Sequence, residues 1–225
     1  MARQEGLGPG EDALLRRWFA DLPEDESAAR RDALACYLDL LRRWSGAYGL
    51  VGPNESGRLV VRHVLPSLAL AARLGPRASL LDVGSRAGFP GLVIAIRDPA
   101  RRVVLVERNG KKARFLDHAG RRLKLVNLRV AHDDVRRFRD EPFDAVTARA
   151  WGPAEELLAA SGHLAHEATV WYLLKGRAGR AEIATLPLGW RADFGPLLPS
   201  ASGRTEDFLL TVVRSGPPLP AGRPA

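Results

Sequence analysis

The chain of 225 residues predicts an α/β fold, in which a mostly parallel sheet with an antiparallel edge strand has helices on both faces and follows a helical extension. From residue 79 onward, short apolar runs alternate with helix-length amphipathic pieces. Before residue 75, apolar residues recur at helical spacing. The first apolar run ends in a carboxylate, which a glycine-rich turn follows. In open α/β sheets, such turns at the carboxyl ends of strands form ligand-binding sites.

The N-terminal part predicts three helices. Apolar residues recur at helical spacing over residues 12–20 and 25–44, and again over 58–73. The Gly-, Pro- and Asn-containing residues 52–57 predict a loop before the third helix. Pro66 lacks an N–H group and is expected to disturb that helix.

The remainder predicts alternating strands and helices. Six apolar runs are expected to be strands: residues 79–83, 102–106, 128–131, 143–148, 169–174 and 208–213. Three amphipathic pieces are expected to be helices: residues 91–97, 110–123 and 153–164. No helix before the last run is long enough for a parallel crossover, so that run is expected to pair antiparallel with the region of residues 191–194.

These elements suggest a division of the chain. We predict a helical extension over residues 1–75, a sheet domain over 76–215, and a disordered Pro- and Gly-rich tail over 216–225.

Composition limits the function classes. The net charge of +8 comes almost entirely from arginine and favours a polyanionic partner such as RNA, although a general arginine bias would give the same balance. Cys36 is the one cysteine, which excludes a disulfide or a cysteine-based metal framework, and the histidines show no ligand spacing, so we expect no metal. No apolar run is long enough to cross a bilayer and no signal peptide is visible, so we expect a cytoplasmic protein without a membrane partner.

Three ligand classes are candidates for the turn within residues 80–91. Dinucleotide sites need Gly-x-Gly-x-x-Gly, but the glycines here are Gly84, Gly88 and Gly91, and Arg86 stands where the second glycine would be. A mononucleotide P-loop needs Gly-Lys-Ser/Thr, which is absent.

The third class, S-adenosylmethionine, needs a carboxylate before the turn and another at the end of the next strand. Asp82 and Glu107 have this arrangement, and an ionised carboxylate can accept both hydroxyls of a ribose. The alternatives are a capping role for Asp82 and a solvated strand end for Glu107.

Several motifs together resemble those of the rRNA small subunit methyltransferase G family (glucose-inhibited division protein B). They are Asp82-Val83-Gly84-Ser85, Gly88-Phe89-Pro90-Gly91, Gly110-Lys111-Lys112, Leu123-x-Leu125-x-Asn127, Ala148-Arg149-Ala150-Trp151, Leu174-Lys175-Gly176 and Arg62-His63-x-x-x-Ser67-Leu68. The resemblance runs over roughly residues 38–213. Departures occur at polar positions: Arg86 replaces a glycine, Arg136 an acidic residue and Pro66 an aspartate, which indicates a divergent member.

The resemblance implies a class I methyltransferase (Rossmann-like) that moves a methyl group from S-adenosylmethionine to N7 of a guanine in 16S rRNA. The partner would be 16S rRNA or a small ribosomal subunit precursor, and the enzyme would be a monomer. Besides Asp82, the implied cofactor-site residues are Gly84, Gly88 and Phe89 on the turn, Glu107 at the ribose, Val135 and Arg136 at the adenine, and Arg149 at the mouth.

Expected RNA-contact residues are His63, Lys111, Lys112, Arg149 and Lys175. No catalytic acid or base is expected, because N7 of neutral guanine carries a free lone pair; Arg149 and Lys175 are candidates for positioning only. Each of these residues has an alternative role without RNA contact. Arg149 could pair with Asp144, Lys175 could extend to solvent, and His63 could pack in the core. Lys111 and Lys112 could lie on a solvated helix face. Trp151 is expected either to stack on a base or to pack in the core.

Three other functions remain open at this point. Arg86 and Arg136 favour a cofactor-poor or non-catalytic RNA-binding relative. The alternative is a methyltransferase for a different RNA or a small molecule. A dehydrogenase is a distant possibility because the glycine register is wrong.

Overall fold

The structure, a computed structural model, describes residues 7–52, 55–76, 78–198 and 207–215. Its seven strands are β1 (Leu80–Val83), β2 (Val103–Val106), β3 (Leu128–Ala131), β4 (Phe143–Arg149), β5 (Ala165–Lys175), β6 (Trp190–Pro196) and β7 (Phe208–Arg214). They form one sheet in the order β3-β2-β1-β4-β5-β7-β6. β7 runs antiparallel to both of its neighbours, whereas the pairs among β1 to β5 are parallel. The predicted mixed sheet is confirmed, with β6 as the outer partner of β7.

In the part of the chain that the structure describes, six α-helices accompany the sheet: α1 (Pro9–Trp18), α2 (Glu24–Tyr48), α3 (Leu65–Ala71), α4 (Gly91–Arg97), α5 (Gly110–Arg122) and α6 (Ala154–Ser161). Two short turns of 3-10 helix lie at Ser56–Arg58 and Gly162–Leu164, and a nine-residue 3-10 segment lies at Arg177–Thr185. The last of these was not predicted, since its sequence has no clear apolar periodicity. The predicted tail, residues 216–225, lies outside the described residues.

The helix expected over residues 58–73 is divided. A π-helical turn (Val60–Val64) precedes α3. Pro66 has no N–H to donate to the turn before it, and the carbonyl of Arg62 instead accepts a hydrogen bond from Arg149 at 2.8 Å. The predicted disturbance therefore leaves a carbonyl free for a hydrogen bond that links the N-terminal helices to the end of β4.

Both faces of the sheet are buried at the inner strands, such as β1 and β2. Along β2, Val103 and Leu105 belong to one apolar cluster, while Val104 and Val106 belong to the other. Burial on both sides explains why the strands are continuous apolar runs rather than alternating ones.

Helix α2 lies against the glycine-rich turn. The Tyr37 hydroxyl donates to the carbonyl of Ala87 at 2.6 Å, and its ring packs edge-on to Phe89. The N-terminal helices therefore help to shape the edge of the sheet where the turn lies. Within the described residues, no helix combines the length and apolar character that a bilayer crossing requires.

Candidate functional site

The turn after β1 brings the backbone close to the strand ends. Gly84 has a φ of +68° and donates its N–H to the carbonyl of Val106 at 2.8 Å. A Cβ built on Gly91 would lie 2.4 Å from Leu105 Cδ2 and 2.7 Å from Asp82 Oδ2. Only glycine fits there without displacing buried atoms, so the start of α4 is fixed directly over β1 and β2.

Asp82 lies beneath this turn and is fully buried. Its Oδ2 accepts the N–H of Gly91 at 3.0 Å, while Oδ1 has no hydrogen-bond partner among the described residues. Burial raises the pKa of Asp82 to about 7, and the Gly91 hydrogen bond opposes this shift. The carboxyl is on the wall of neither cavity described below. Its geometry is that of the capping role, the alternative to the expected direct cofactor contact.

Gly88 also lies below the surface instead of on a cavity wall. It has a φ of +103°, and a Cβ there would lie 3.0 Å from the Tyr37 hydroxyl and 3.1 Å from Leu116 Cδ2. Gly88 therefore packs against α2 and α5, and its expected role at the cofactor stays a prediction.

The buried Asp82 carboxyl should make stability depend on pH. We expect the unfolding free energy of the wild type, relative to Asp82→Asn, to fall between about pH 4 and about pH 7, by at most about 1.4 kcal/mol per pH unit. The folded pKa of about 7 exceeds the ordinary 3.8, so over this window the native state holds a proton that the unfolded chain has released. Urea unfolding at several pH values measures the difference, and a flat difference would contradict the assignment.

A first cavity of about 430 Å³ opens at the carboxyl ends of β1 and β2. Its wall includes Gly84, Arg86, Glu107, Asn109, Val135, Arg136 and Trp151. Four of the predicted cofactor residues, Gly84, Glu107, Val135 and Arg136, are thus brought together although they come from three separate loops.

Glu107 is held at this cavity by two backbone donors. Oε2 accepts the N–H of Arg86 at 2.8 Å, and Oε1 accepts the N–H of Asn109 at 2.8 Å. The residue is only 4% exposed. Each carboxylate oxygen keeps a further lone pair for a ligand hydroxyl, so the carboxylate is preorganised to bind a diol.

Arg86 does not plug the cavity. Its side chain is exposed, and it adopts a φ of 51°, in the left-handed region that costs a non-glycine residue about 1–2 kcal/mol. Its N–H on Glu107 fixes that conformation. Arg86 lines both the first cavity and a second one beside it.

Trp151 forms another wall of the first cavity. Its Cε3 would lie 3.2 Å from a Cβ on Gly84, and the Arg136 guanidinium lies 6.0 Å from the centre of its ring. Trp151 is half-buried and follows Ala150, which has a φ of 52°. Trp151 packs against the core cluster on one side and lines the cavity on the other. Packing in the core therefore agrees with the expectation in part, and stacking on a base stays a prediction.

A second cavity of about 420 Å³ lies between the turn and the N-terminal helices. Its wall includes Gly49, Leu50, Gly52, Glu55, His63, Phe89 and Arg149. Arg86, Lys112 and Ala150 line both cavities. Phe89 and Arg149, which the resemblance assigns to the cofactor site, belong to this second space.

Arg149 is held by two groups. Its Nη2 donates to the carbonyl of Arg62 at 2.8 Å and lies 3.4 Å from Asp207 Oδ1. Its Nη1 is buried and has no hydrogen-bond partner among the described residues. Burial lowers the pKa of the guanidinium. The alternative partner Asp144 instead accepts hydrogen bonds from Ser79.

His63 is buried and electrically neutral near pH 7. Burial, followed by the charge of Arg149, lowers its pKa to about 4. Its ring stacks on Phe89 with centroids 4.7 Å apart, and neither ring nitrogen has a hydrogen-bond partner in the described part of the chain. Its place on the cavity wall supports a site role, while its stacking resembles the packing alternative.

The three lysines differ in accessibility. Lys111 is exposed, and Lys112 borders both cavities. Lys175 does not reach freely into solvent: its Nζ donates to the carbonyl of Gly152 at 2.5 Å and lies 2.8 Å from Glu182 Oε2. It is therefore part of a polar network that supports the loop after β4.

Sequence reasoning missed Glu55 and Asp207. Glu55 falls in a segment that composition marked only as a loop, and Asp207 lies just before a strand at the far end of the chain. No local spacing connects either carboxylate with Arg149, so the sequence carries no signal for these contacts.

Comparisons with known proteins point to one family. The model of the family described as rRNA small subunit methyltransferase G, GidB, matches residues 30–194. A protein named ribosomal RNA small subunit methyltransferase G from Pseudomonas paraeruginosa is 37% identical over 199 residues, which cover 87% of this chain and 93% of the relative. Its counterpart from Stenotrophomonas maltophilia is 39% identical over 203 residues, covering 89% and 93%.

Solved structures support the fold. A precorrin-6y C5,15-methyltransferase from Geobacter metallireducens has a TM-score of 0.54 and 14% identity, over 74% of this chain and 91% of that one. An O-methyltransferase from Bacillus cereus, solved with SAH, has a TM-score of 0.53 and 17% identity, over 79% and 90%. At this identity the likeness shows the class I methyltransferase fold alone.

Proposed function

Because the chain belongs to the rRNA small subunit methyltransferase G family, we propose that it transfers a methyl group from S-adenosylmethionine to N7 of a guanine in 16S rRNA. The observation that carries the proposal is Glu107, preorganised by two backbone N–H groups on the wall of the first cavity. Family membership and this carboxylate are independent, since one rests on the whole sequence and the other on local geometry.

The first cavity fits the cofactor. The spare lone pairs of Glu107 suit the two ribose hydroxyls. Gly84 lets a ligand approach the backbone, and Val135 and Arg136 border the same space, as expected for residues that flank the adenine. The bound cofactor would supply a sulfonium methyl group; the residues of this chain would bind it and orient it.

The chemistry needs no general base. Guanine N7 carries a lone pair and no proton, so the protein has to align the base and exclude water, which together can contribute about 7–11 kcal/mol to lowering the barrier. Arg149, fixed by Arg62 and near Asp207, is suited to such positioning. Lys175 would act indirectly, by supporting the loop after β4.

The substrate is expected to be bound largely through phosphate contacts. The net charge of +8, the exposed Lys111 and the half-buried Lys112 on the cavity walls support this, with affinity falling as salt rises. We further propose that the enzyme is a cytoplasmic monomer and acts on 16S rRNA or a small-subunit precursor. The domain division given above also remains a proposal.

The direct test uses purified protein with S-adenosylmethionine and small ribosomal subunits, or their naked rRNA, from a strain lacking the gene. Mass mapping of the RNA is expected to find one new N7-methylguanine in 16S rRNA. A methyl group elsewhere in 16S rRNA would contradict the assignment of guanine N7 as the acceptor. An unmodified 16S rRNA would exclude this RNA as the substrate.

Arg86 favours the second candidate, a cofactor-poor RNA-binding relative, because a cation borders the cofactor cavity. Thermal shift with S-adenosylmethionine and its demethylated product separates the two candidates. A raised melting temperature with either ligand supports the transferase, and no shift with both supports the second candidate.

Replacement of Arg86 by glycine tests what this residue does. We expect Arg86→Gly to raise the unfolding free energy by about 0.5–1 kcal/mol, since glycine relieves the positive φ but adds freedom to the unfolded chain. We also expect it to bind the demethylated cofactor more tightly. Arg86→Ala, which removes the guanidinium but keeps the strain, is the control. Weaker binding in both variants would show that Arg86 contacts the cofactor.

A further inference from the structure

The second cavity contains polar groups that the transfer of a methyl group to N7 does not require. It shares Arg86, Lys112 and Ala150 with the first cavity, so a base bound there would lie next to the methyl donor. This inference rests on the proposed function and concerns how the acceptor base is selected.

Glu55 provides a hydrogen-bond acceptor on this wall. Its Oε2 accepts the N–H of Gly52 at 3.0 Å, and its Oε1 lies 3.5 Å from His63 Nε2 and 3.7 Å from Arg62 Nε. The Gly52 hydrogen bond, followed by nearby cations, holds the pKa of Glu55 below its usual range. The ionised carboxylate retains lone pairs for further donors.

Arg149 provides the complementary donor. Its Nη2 is fixed on the carbonyl of Arg62, which orients the planar guanidinium. Arg149 lies on the wall of the second cavity. Its Nη1 is buried and has no hydrogen-bond partner among the described residues, and such a group is costly unless a ligand satisfies it. Glu55 and Arg149 are close enough that each charge affects the pKa of the other.

His63 is a second buried group whose ring nitrogens make no hydrogen bond among the described residues, although Nε2 lies 3.5 Å from Glu55 Oε1. It is 8% exposed, lies on this wall, and stacks on Phe89. Buried nitrogens without a hydrogen bond on two side chains, Arg149 and His63, beside one carboxylate indicate a space shaped for a ligand with both donors and acceptors.

Guanine has the matching edge. Its N1–H and N2 amino group are adjacent donors that one carboxylate can accept, and O6 beside them is an acceptor for a guanidinium. Adenine presents an acceptor at N1 and a donor at N6. It would therefore place an acceptor against the Glu55 carboxylate and a donor against the Arg149 guanidinium. We propose that Glu55 and Arg149 select guanine as the acceptor base, with Glu55 binding N1–H and the N2 amino group and Arg149 donating to O6. N7 lies on the far side of O6 and stays free for the methyl group.

The test replaces the methylated guanine of 16S rRNA with inosine, which lacks only the N2 amino group. The modified rRNA is made by ligation and assembled into subunits if the enzyme requires them. Wild-type enzyme and Glu55→Gln are each assayed on both RNAs, with kcat/KM for methyl transfer as the readout. Glu141→Gln, an exposed carboxylate before β4 at the opposite edge of the sheet, is the matched control.

We expect inosine to lower kcat/KM of the wild type by about 10- to 100-fold, the range for losing a hydrogen bond to a charged group. Glu55→Gln should show a similar loss on guanine and little further loss on inosine. The amide keeps one acceptor oxygen, which can bind N1–H, and loses the acceptor for the N2 amino group, which is the contact that inosine also lacks. Glu141→Gln should keep the full sensitivity of the wild type to inosine. Affinity for the demethylated cofactor should not change in Glu55→Gln.

Two results would overturn the inference. One is equal methylation of guanine and inosine by the wild type. The other is that inosine lowers kcat/KM of Glu55→Gln by the same factor as it lowers kcat/KM of the wild type. The inosine comparison on the wild type needs no variant, so it holds even if Glu55→Gln fails to fold. Absence of any methyl transfer to 16S rRNA by the wild type would instead reject the proposed function.

Discussion

Replacing Glu107 with glutamine is expected to weaken binding of S-adenosylmethionine and its demethylated product by about 100-fold. Hydrogen bonds to a charged group contribute about 1.5–3 kcal/mol each, and about 1.4 kcal/mol corresponds to tenfold in affinity. Loss of the charge at both ribose hydroxyls therefore costs about 3 kcal/mol. Isothermal titration calorimetry measures the change.

The glutamine also disturbs the turn. The carboxylate of Glu107 accepts N–H groups from both Arg86 and Asn109, and an amide nitrogen can accept neither. A 2′-deoxy analogue of the demethylated cofactor separates this structural effect from the ribose contact. The wild type should bind the analogue more weakly than the parent compound, while Glu107→Gln should hardly distinguish them.

The matched control for this experiment is Glu167→Gln, an exposed carboxylate on β5 near its amino end. It makes the same change of charge at the amino ends of the parallel strands, away from the first cavity, and should leave the affinity for the cofactor unaltered. If Glu107→Gln bound the cofactor as tightly as the wild type, the assignment of the first cavity to S-adenosylmethionine would fail.

Gly91→Ala is expected to lower the unfolding free energy by about 3 kcal/mol, near the upper end of the usual cost of overpacking. The new Cβ would lie 2.4 Å from Leu105 Cδ2 and 2.8 Å from Asp82 Cβ, and both side chains are fully buried. Neither can move without displacing the core beneath α4. Urea unfolding monitored by tryptophan fluorescence measures the loss.

Gly46→Ala is the control for this substitution. Gly46 lies within α2, and a Cβ there would meet no atom within 4 Å. Alanine is the better helix former by about 1 kcal/mol, so this variant should be slightly more stable than the wild type. A tolerated Gly91→Ala would mean that α4 does not approach the sheet as closely as described.

The pattern of the sequence determined the sheet and one part of the site. The six strands predicted from apolar runs are present, and α4 has the predicted bounds, Gly91–Arg97. Glu107 could be predicted because consecutive parallel strands end at the same edge of a sheet, so a carboxylate after β2 must lie near the turn after β1. Periodicity and turn composition are local properties, and they were sufficient for these elements.

Only the tertiary structure decided which way the side chains of the site face. Asp82 lies in the right place along β1 but points beneath α4, because the glycine-rich turn carries the chain over it. Arg149 binds the carbonyl of Arg62, 87 residues away, and the carboxylate near it is Asp207 instead of Asp144. Contacts of this kind depend on which elements pack together and on the φ of single residues such as Arg86, and neither leaves a periodic trace in the sequence. The second cavity, with Glu55 at its wall, exists only because the N-terminal helices fold back onto the edge of the sheet.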